Sequence, residues 1–354
     1  MKAARIIQGI HIMTGVCNDF GVELVWNKGI AALCDRRIPD EFPDCRNYSP
    51  VPPFAGAMSS SKLPDDLITN LQPYSDIRDG ELVWVRISWL KSFIKQVLPL
   101  VNARIVLVTG DSDSCMPSEL GADARVLLES PKIAHWYTQN YDGSVASEKI
   151  SPIPIGMDFH MLNEGNIWGE SARSLEKQEA ALKSVAAQLS PREERIQKVY
   201  VDFAWQWSFG IRHYRRYHPM VGGRWETRRR TAKKLKEHED VVSQAHPLPR
   251  TEMWRARGEY AFVVSPHGIG LDCHRTWEAL ALGHIVLVSA SSLDSLYDGL
   301  PVVALNDWNE ITSDNLKQWL LRFQGNHGIH EKLKSRYWVA RMRGSGGRDA
   351  LPGR

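Results

Sequence analysis

The stretch Tyr260-Ala-Phe-Val-Val-Ser-Pro-His-Gly-Ile-Gly-Leu-Asp-Cys-His-Arg-Thr-Trp-Glu-Ala-Leu-Ala-Leu-Gly-His-Ile-Val-Leu-Val288 decides the fold. It reads as a short buried strand, a glycine-bearing turn, a helix opening at Asp272 and a second buried strand. Such a unit turns backbone N–H groups and a helix N-terminus toward an anion. Arg275 and Glu278 stand three residues apart, one helical turn, on the same face. A guanidinium fork pairs with diphosphate oxygens, and a carboxylate accepts hydrogen bonds from two adjacent ribose hydroxyls. His267, Gly268, Gly270, Asp272, Arg275 and Glu278 are therefore candidate contacts for a ligand carrying both a diphosphate and sugar hydroxyls. The plain alternative is a strand–helix–strand unit with an ordinary surface Arg–Glu pair.

Working outward, buried strands alternate with helical segments, which implies parallel sheets with covered faces. Residues 82–85 and 103–108 read as strands, and residues 89–98 have helical spacing that stops at Pro99. Residues 125–128 read as a further apolar run and residues 133–139 as a helix, followed by an extended segment at 153–155. Residues 172–189 form one amphipathic helix with Leu175, Leu182, Val185 and Leu189 on a shared face, ended by Ser190-Pro191. A second α/β unit starts at Val199-Tyr-Val-Asp-Phe203 and runs through 262–264, 285–288 and 302–304 to a helix at 314–323. The expected division is 1–165 for a first, acceptor-side domain, 166–196 for a linker helix region, 197–342 for a second, ligand-binding domain and 343–354 for a flexible tail. Residues 1–60 show only short apolar runs between turn and proline-rich stretches.

Composition narrows the class. A chain of 354 residues favours two domains. The 43% apolar and 24% charged content is ordinary for a soluble globular protein, and a net charge of +3 does not by itself imply a polyanionic partner. The five cysteines, Cys17, Cys34, Cys45, Cys115 and Cys273, form no CxxC pair, which argues against a disulfide framework and a structural zinc site and for a reducing compartment. No targeting segment or membrane span is legible. A cytoplasmic protein is expected, with peripheral attachment to a membrane left open.

The runs "SPHGIGLDCHRTWEALALGHIVLV" and "SSLDSLYDGLPVVALNDWNEIT" resemble the donor-binding region of exostosin-type glycosyltransferases. "PIPIGMDFH" and "KVYVDFAWQWS" are more loosely similar to the segments that close the first and open the second domain of GT-B enzymes. The resemblance implies a GT-B-like α/β fold, with two Rossmann-like domains facing each other across a cleft. It implies transfer of a sugar from a nucleotide-sugar donor, with a UDP- or GDP-sugar as co-substrate, to a glycan or lipid-linked acceptor. It also implies an inverting displacement that requires no divalent metal and no further cofactor. Arg275 and Glu278 match the family's Arg and Glu after the glycine turn. The chain lacks the family's usual membrane anchor and secretory, disulfide-rich character.

Four further constellations carry chemistry. Residues 212–236 hold ten Lys/Arg against one Glu; Arg212, Arg228 and Arg229 are candidates for phosphate contact, against a solvated helix face or nucleic-acid binding. Asp111-Ser-Asp113 closes a buried strand. Asp111 is a candidate base toward an acceptor hydroxyl; the pair is alternatively a DxD metal site of the GT-A type, or a plain turn. Asp19 and Asp158, the latter beside His160, are the other base candidates. Among thirteen tryptophans, Trp205 and Trp207 are candidate platforms for a sugar or base. The expected function is sugar transfer, with no nucleic-acid partner. A non-catalytic nucleotide- or sugar-binding protein and a nucleic-acid-binding protein remain the alternatives.

Overall fold

The computed structural model describes residues 22–38, 71, 74–203, 219–325 and 328–346. Two five-stranded sheets, each wholly parallel, form two α/β domains. The first contains β1 (Arg36–Ile38), β2 (Leu82–Arg86), β3 (Ile105–Gly110), β4 (Ile133–Thr138) and β5 (Ile150–Pro152), in that spatial order. The second contains β6 (Ile196–Val201), β7 (Val241–Ser243), β8 (Tyr260–Val264), β9 (Ile285–Ser289) and β10 (Val302–Leu305), in the order β10-β9-β8-β6-β7. Two parallel-sheet α/β domains were the class expected. The central strands are apolar on both faces; every residue of β3 is buried, as parallel strands covered by helices require.

The helices are α1 (Asn27–Leu33), α2 (Asp123–Glu129), α3 (His160–Glu164), α4 (Leu175–Gln188), α5 (Pro219–Lys236), α6 (Arg250–Gly258), α7 (His274–Ala281), α8 (Ser313–Arg322) and α9 (Ser335–Gly346). Helix α4 buries Leu175, Leu182 and Val185 as its periodicity demands, and Ser174 caps it by accepting from the Lys177 N–H. It packs on α6 and α7.

Side-chain alternation divides the core. Val83 and Val85 enter the outer core of the first domain, while Leu82 and Trp84 enter a central core shared by both domains. Val263, Trp277 and Trp338 meet the same central core from the second half of the chain. Helix α9 crosses back to pack on β3, β4 and α1, and Arg343 there makes a two-point ion pair with Asp35 at 3.0 and 2.9 Å. Trp338 is fully buried and donates its Nε1–H to the Lys332 carbonyl at 2.8 Å. Trp338→Ala should cost about 3–5 kcal/mol through lost burial and the cavity left behind, measured by urea denaturation; a loss under about 1 kcal/mol would show that α9 is dispensable to the core.

The apolar run at 125–128 belongs to the helix 123–129, where Ala124 and Leu127 bury one face three residues apart, and one local expectation is corrected. Residues 133–138 are a strand, not a helix, because Ile133-Ala-His-Trp-Tyr-Thr138 is rich in β-favouring side chains and pairs between β3 and β5. Residues 87–97 also depart from one regular helix, passing from a 3-10 turn through an α turn into a π turn. Among the described residues no helix is long and apolar enough to cross a membrane.

Candidate functional site

The chain runs from β6 outward to β7, then returns to place β8 on the other side of β6. The loops after β6 and β8 therefore diverge, and this crevice is where an open parallel sheet takes a ligand. Asp202 follows β6, and residues 265–273 follow β8 and lead into α7.

The glycines of that turn serve close packing. A Cβ on Gly270 would lie 2.6 Å from Asn140 Nδ2, and one on Gly268 would meet Arg228 Nη1 and Cys273 Sγ at 3.2 Å. Asn140, in the first domain, accepts from the Asp272 N–H at 2.9 Å and donates to the Ser112 carbonyl at 3.0 Å. Asp272 is buried. Its carboxylate accepts from the Ile155 N–H at 2.8 Å, the Cys273 N–H at 2.8 Å and the Trp277 indole at 2.9 Å. Burial raises its pKa to about 6 against those donors. Asp272 thus links the loop after β8 to the first domain through Ile155 and Asn140.

Glu278 is likewise committed internally. Its Oε1 accepts from Arg250, and its Oε2 accepts from Trp254 at 3.0 Å and Arg257 at 3.3 Å. Arg257 bridges on to Asp202 at 3.2 Å, and Arg250 reaches Gln178 at 3.0 Å and the Asp158 carbonyl at 2.6 Å. The rings of Trp168 and Trp254 each lie 4.8 Å from the Arg250 guanidinium. Burial opposes ionisation of Glu278, but Arg250 and Arg257 outweigh it and hold the carboxyl below its ordinary value. Both Glu278 oxygens thus accept from protein donors in a buried network. Arg250, Arg257 and Asp202 were not singled out from the sequence; nothing in their local spacing marks three separate segments as one network.

Arg275 differs. Its Nε meets Asp202 at 2.7 Å, yet its side chain stays 20% exposed while Asp202 is fully buried. Three guanidiniums, Arg250, Arg257 and Arg275, share the two carboxylates Asp202 and Glu278. Arg228 adds a fourth cation beside them, donating to the His267 carbonyl at 3.3 Å and lying 5.1 Å from the Phe203 ring centroid. Burial, then repulsion from Arg275, brings the Arg228 pKa down to about 10. His267 and Arg229 are half-buried. Trp205, Trp207, Arg212 and Asp19 lie outside the described residues.

Across the domain interface stand the remaining candidates. Asp111 follows β3 with φ of 59° and pairs with Arg86 at 2.9 Å; the Asn27 amide lies 3.4 Å away. Burial disfavours its charge, but Lys28, Arg86 and His160 prevail and keep its pKa below the ordinary value. Asp111 is thus set among Lys28, Arg86 and His160. Asp158 is buried; burial again opposes its charge, and His160, His274 and Arg250 reverse the shift to well below the ordinary value. His160 Nδ1 lies 3.0 Å from Asp158 Oδ1, and His274 Nε2 lies 4.0 Å from Oδ2. The segment 156–160 of the first domain and the first turn of α7 thereby share one polar cluster.

No protein-family model and no curated protein matches the chain. Among solved structures, one titled as the apo form of OtsA is 10% identical with a TM-score of 0.35, over 77% of this chain and 73% of its own. An Escherichia coli structure titled as trehalose-6-phosphate bound with UDP-2-fluoro glucose is 11% identical at TM-score 0.33, over 76% and 72%. An α1,3-fucosyltransferase with GDP is 13% identical at TM-score 0.32, over 76% and 78%. Overlaps this loose establish neither a shared family nor a shared activity.

Proposed function

We propose that the chain is a glycosyltransferase that takes its sugar from a nucleotide-sugar donor held at the β6–β8 crevice. The observation that carries this reading is the Arg275–Arg228 pair, two adjacent guanidiniums beside the first turn of α7 at the carboxyl end of β8. Like charges held together beside a helix N-terminus suit a diphosphate. In the reaction the same cations stabilise the leaving nucleoside diphosphate, the part a metal plays elsewhere. In the first domain, Asp111 serves as the carboxylate that receives the acceptor's proton; because it stays ionised, it takes that proton late, once bond formation has acidified the hydroxyl. The exostosin-like resemblance supports an inverting displacement onto a glycan or lipid-linked hydroxyl and a UDP- or GDP-sugar as donor.

The test is a thermal-shift panel of UDP, GDP, CMP and their sugars. A ligand at 100 times its Kd should add about 2.7 kcal/mol to stability. Absence of a shift with every nucleotide would remove the donor site. Binding without release of nucleoside diphosphate from any acceptor mixture would leave a binding protein rather than an enzyme.

A further inference from the structure

We infer that Asp158, His160 and His274 form a divalent transition-metal site, with zinc as its simplest occupant, joining the two domains. One ligand atom of each residue lies within 4.8 Å of the others. Two imidazoles and one carboxylate leave coordination positions open for water or a ligand oxygen.

The hydrogen bonds around the cluster favour a cation. His274 Nδ1 lies 2.7 Å from the Gly156 carbonyl and donates to it. In the neutral ring this leaves Nε2 as a lone pair, facing Asp158 Oδ2 at 4.0 Å, acceptor toward acceptor. A backbone carbonyl that fixes one ring nitrogen and presents the other is the usual outer support of a metal-bound histidine. His160 Nδ1 approaches Asp158 Oδ1 to 3.0 Å. A shared ion satisfies that approach, since ligand atoms on one zinc lie roughly 3–3.5 Å apart. The carboxylate is held in place by the Met161 N–H at 3.2 Å, and the Asp158 backbone by Arg250 at 2.6 Å. The imidazole side chains are 19% and 24% exposed, which leaves a path for entry.

The site is a clamp: two ligands come from the segment after β5 and the third from α7. Its third ligand, His274, directly precedes Arg275 in the first turn of α7, so the site borders the proposed diphosphate contact, and zinc uptake holds or fails independently of the sugar-transfer reading. If the metal takes Asp158, Asp111 is left as the acceptor-side carboxylate.

The test uses the full chain stripped with a chelator and titrated with zinc in a calorimeter, with metal content read by mass spectrometry. One zinc per chain is expected. His160→Gln and His274→Gln should each weaken binding by about 100-fold or more, while His246→Ala, at an exposed position, leaves it unchanged. Cobalt loading of the unmodified chain should give visible d–d bands without a thiolate charge-transfer band. Failure to take up zinc, uptake that survives both histidine substitutions, or a thiolate band assigning the ion to a cysteine would each overturn the inference. The cobalt spectrum decides the matter even if a variant fails to fold.

Discussion

Glu278→Ala should destabilise the protein by about 3–5 kcal/mol, because it strips a carboxylate from two buried guanidiniums. Arg250 keeps Gln178 and the Asp158 carbonyl, and Arg257 keeps Asp202, but neither retains the charge of Glu278. A domain of ordinary stability has roughly 5–15 kcal/mol in all, so the variant should lose a large share of its cooperative unfolding free energy in urea. The pH dependence follows from the depressed pKa. The unfolded carboxyl titrates near 4.5 and the folded one below it. Its stabilising contribution is therefore complete above that value and is lost as pH falls through the lower folded value. Glu278→Gln should show a shallower loss of stability below pH 4.5 than the parent chain. If Glu278→Ala instead unfolds like the parent and only binds nucleotide more weakly, the carboxylate contacts ligand and the internal network is not its role.

Replacing Arg275 should give the opposite pattern. Arg275→Ala leaves buried Asp202 still paired with Arg257, so the fold persists. The ligand loses charge-assisted hydrogen bonds worth about 1.5–3 kcal/mol, and UDP or GDP affinity should fall roughly 10- to 150-fold by calorimetry. Arg275→Lys should recover only part of this, because an ammonium keeps the charge but not the fork. Unaltered affinity in both variants would mean that the cation pair does not hold the diphosphate. Together, Glu278 and Arg275 separate stability from binding on one helix, three residues apart.

Much of the second domain was legible because its strands are short apolar runs bounded by turns. The runs at 262–264, 285–288 and 302–304 lie inside β8, β9 and β10. Residues 133–139 were read as a helix and residues 125–128 only as an apolar run, since short apolar runs carry no decisive period and pairing with β3 settled the matter. The Ser265–Glu278 stretch does form the turn after β8 and the start of α7, but the partners of its polar residues could not be read. Asp272 and Glu278 are polar residues at the end of a strand, and only their partners show that they are internal clips. Those partners, Asn140, Ile155, Arg250 and Arg257, are distant in sequence.

Periodicity and turn chemistry, which are local, determined from the sequence alone that this is a parallel α/β protein with two sheets and a strand–turn–helix unit at 260–281. Which charges are spent inside the protein and which remain for a ligand was decided only by tertiary structure. An arginine three segments away neutralises a carboxylate as effectively as a neighbour does, and in a buried medium the nearest opposite charge in space decides the role.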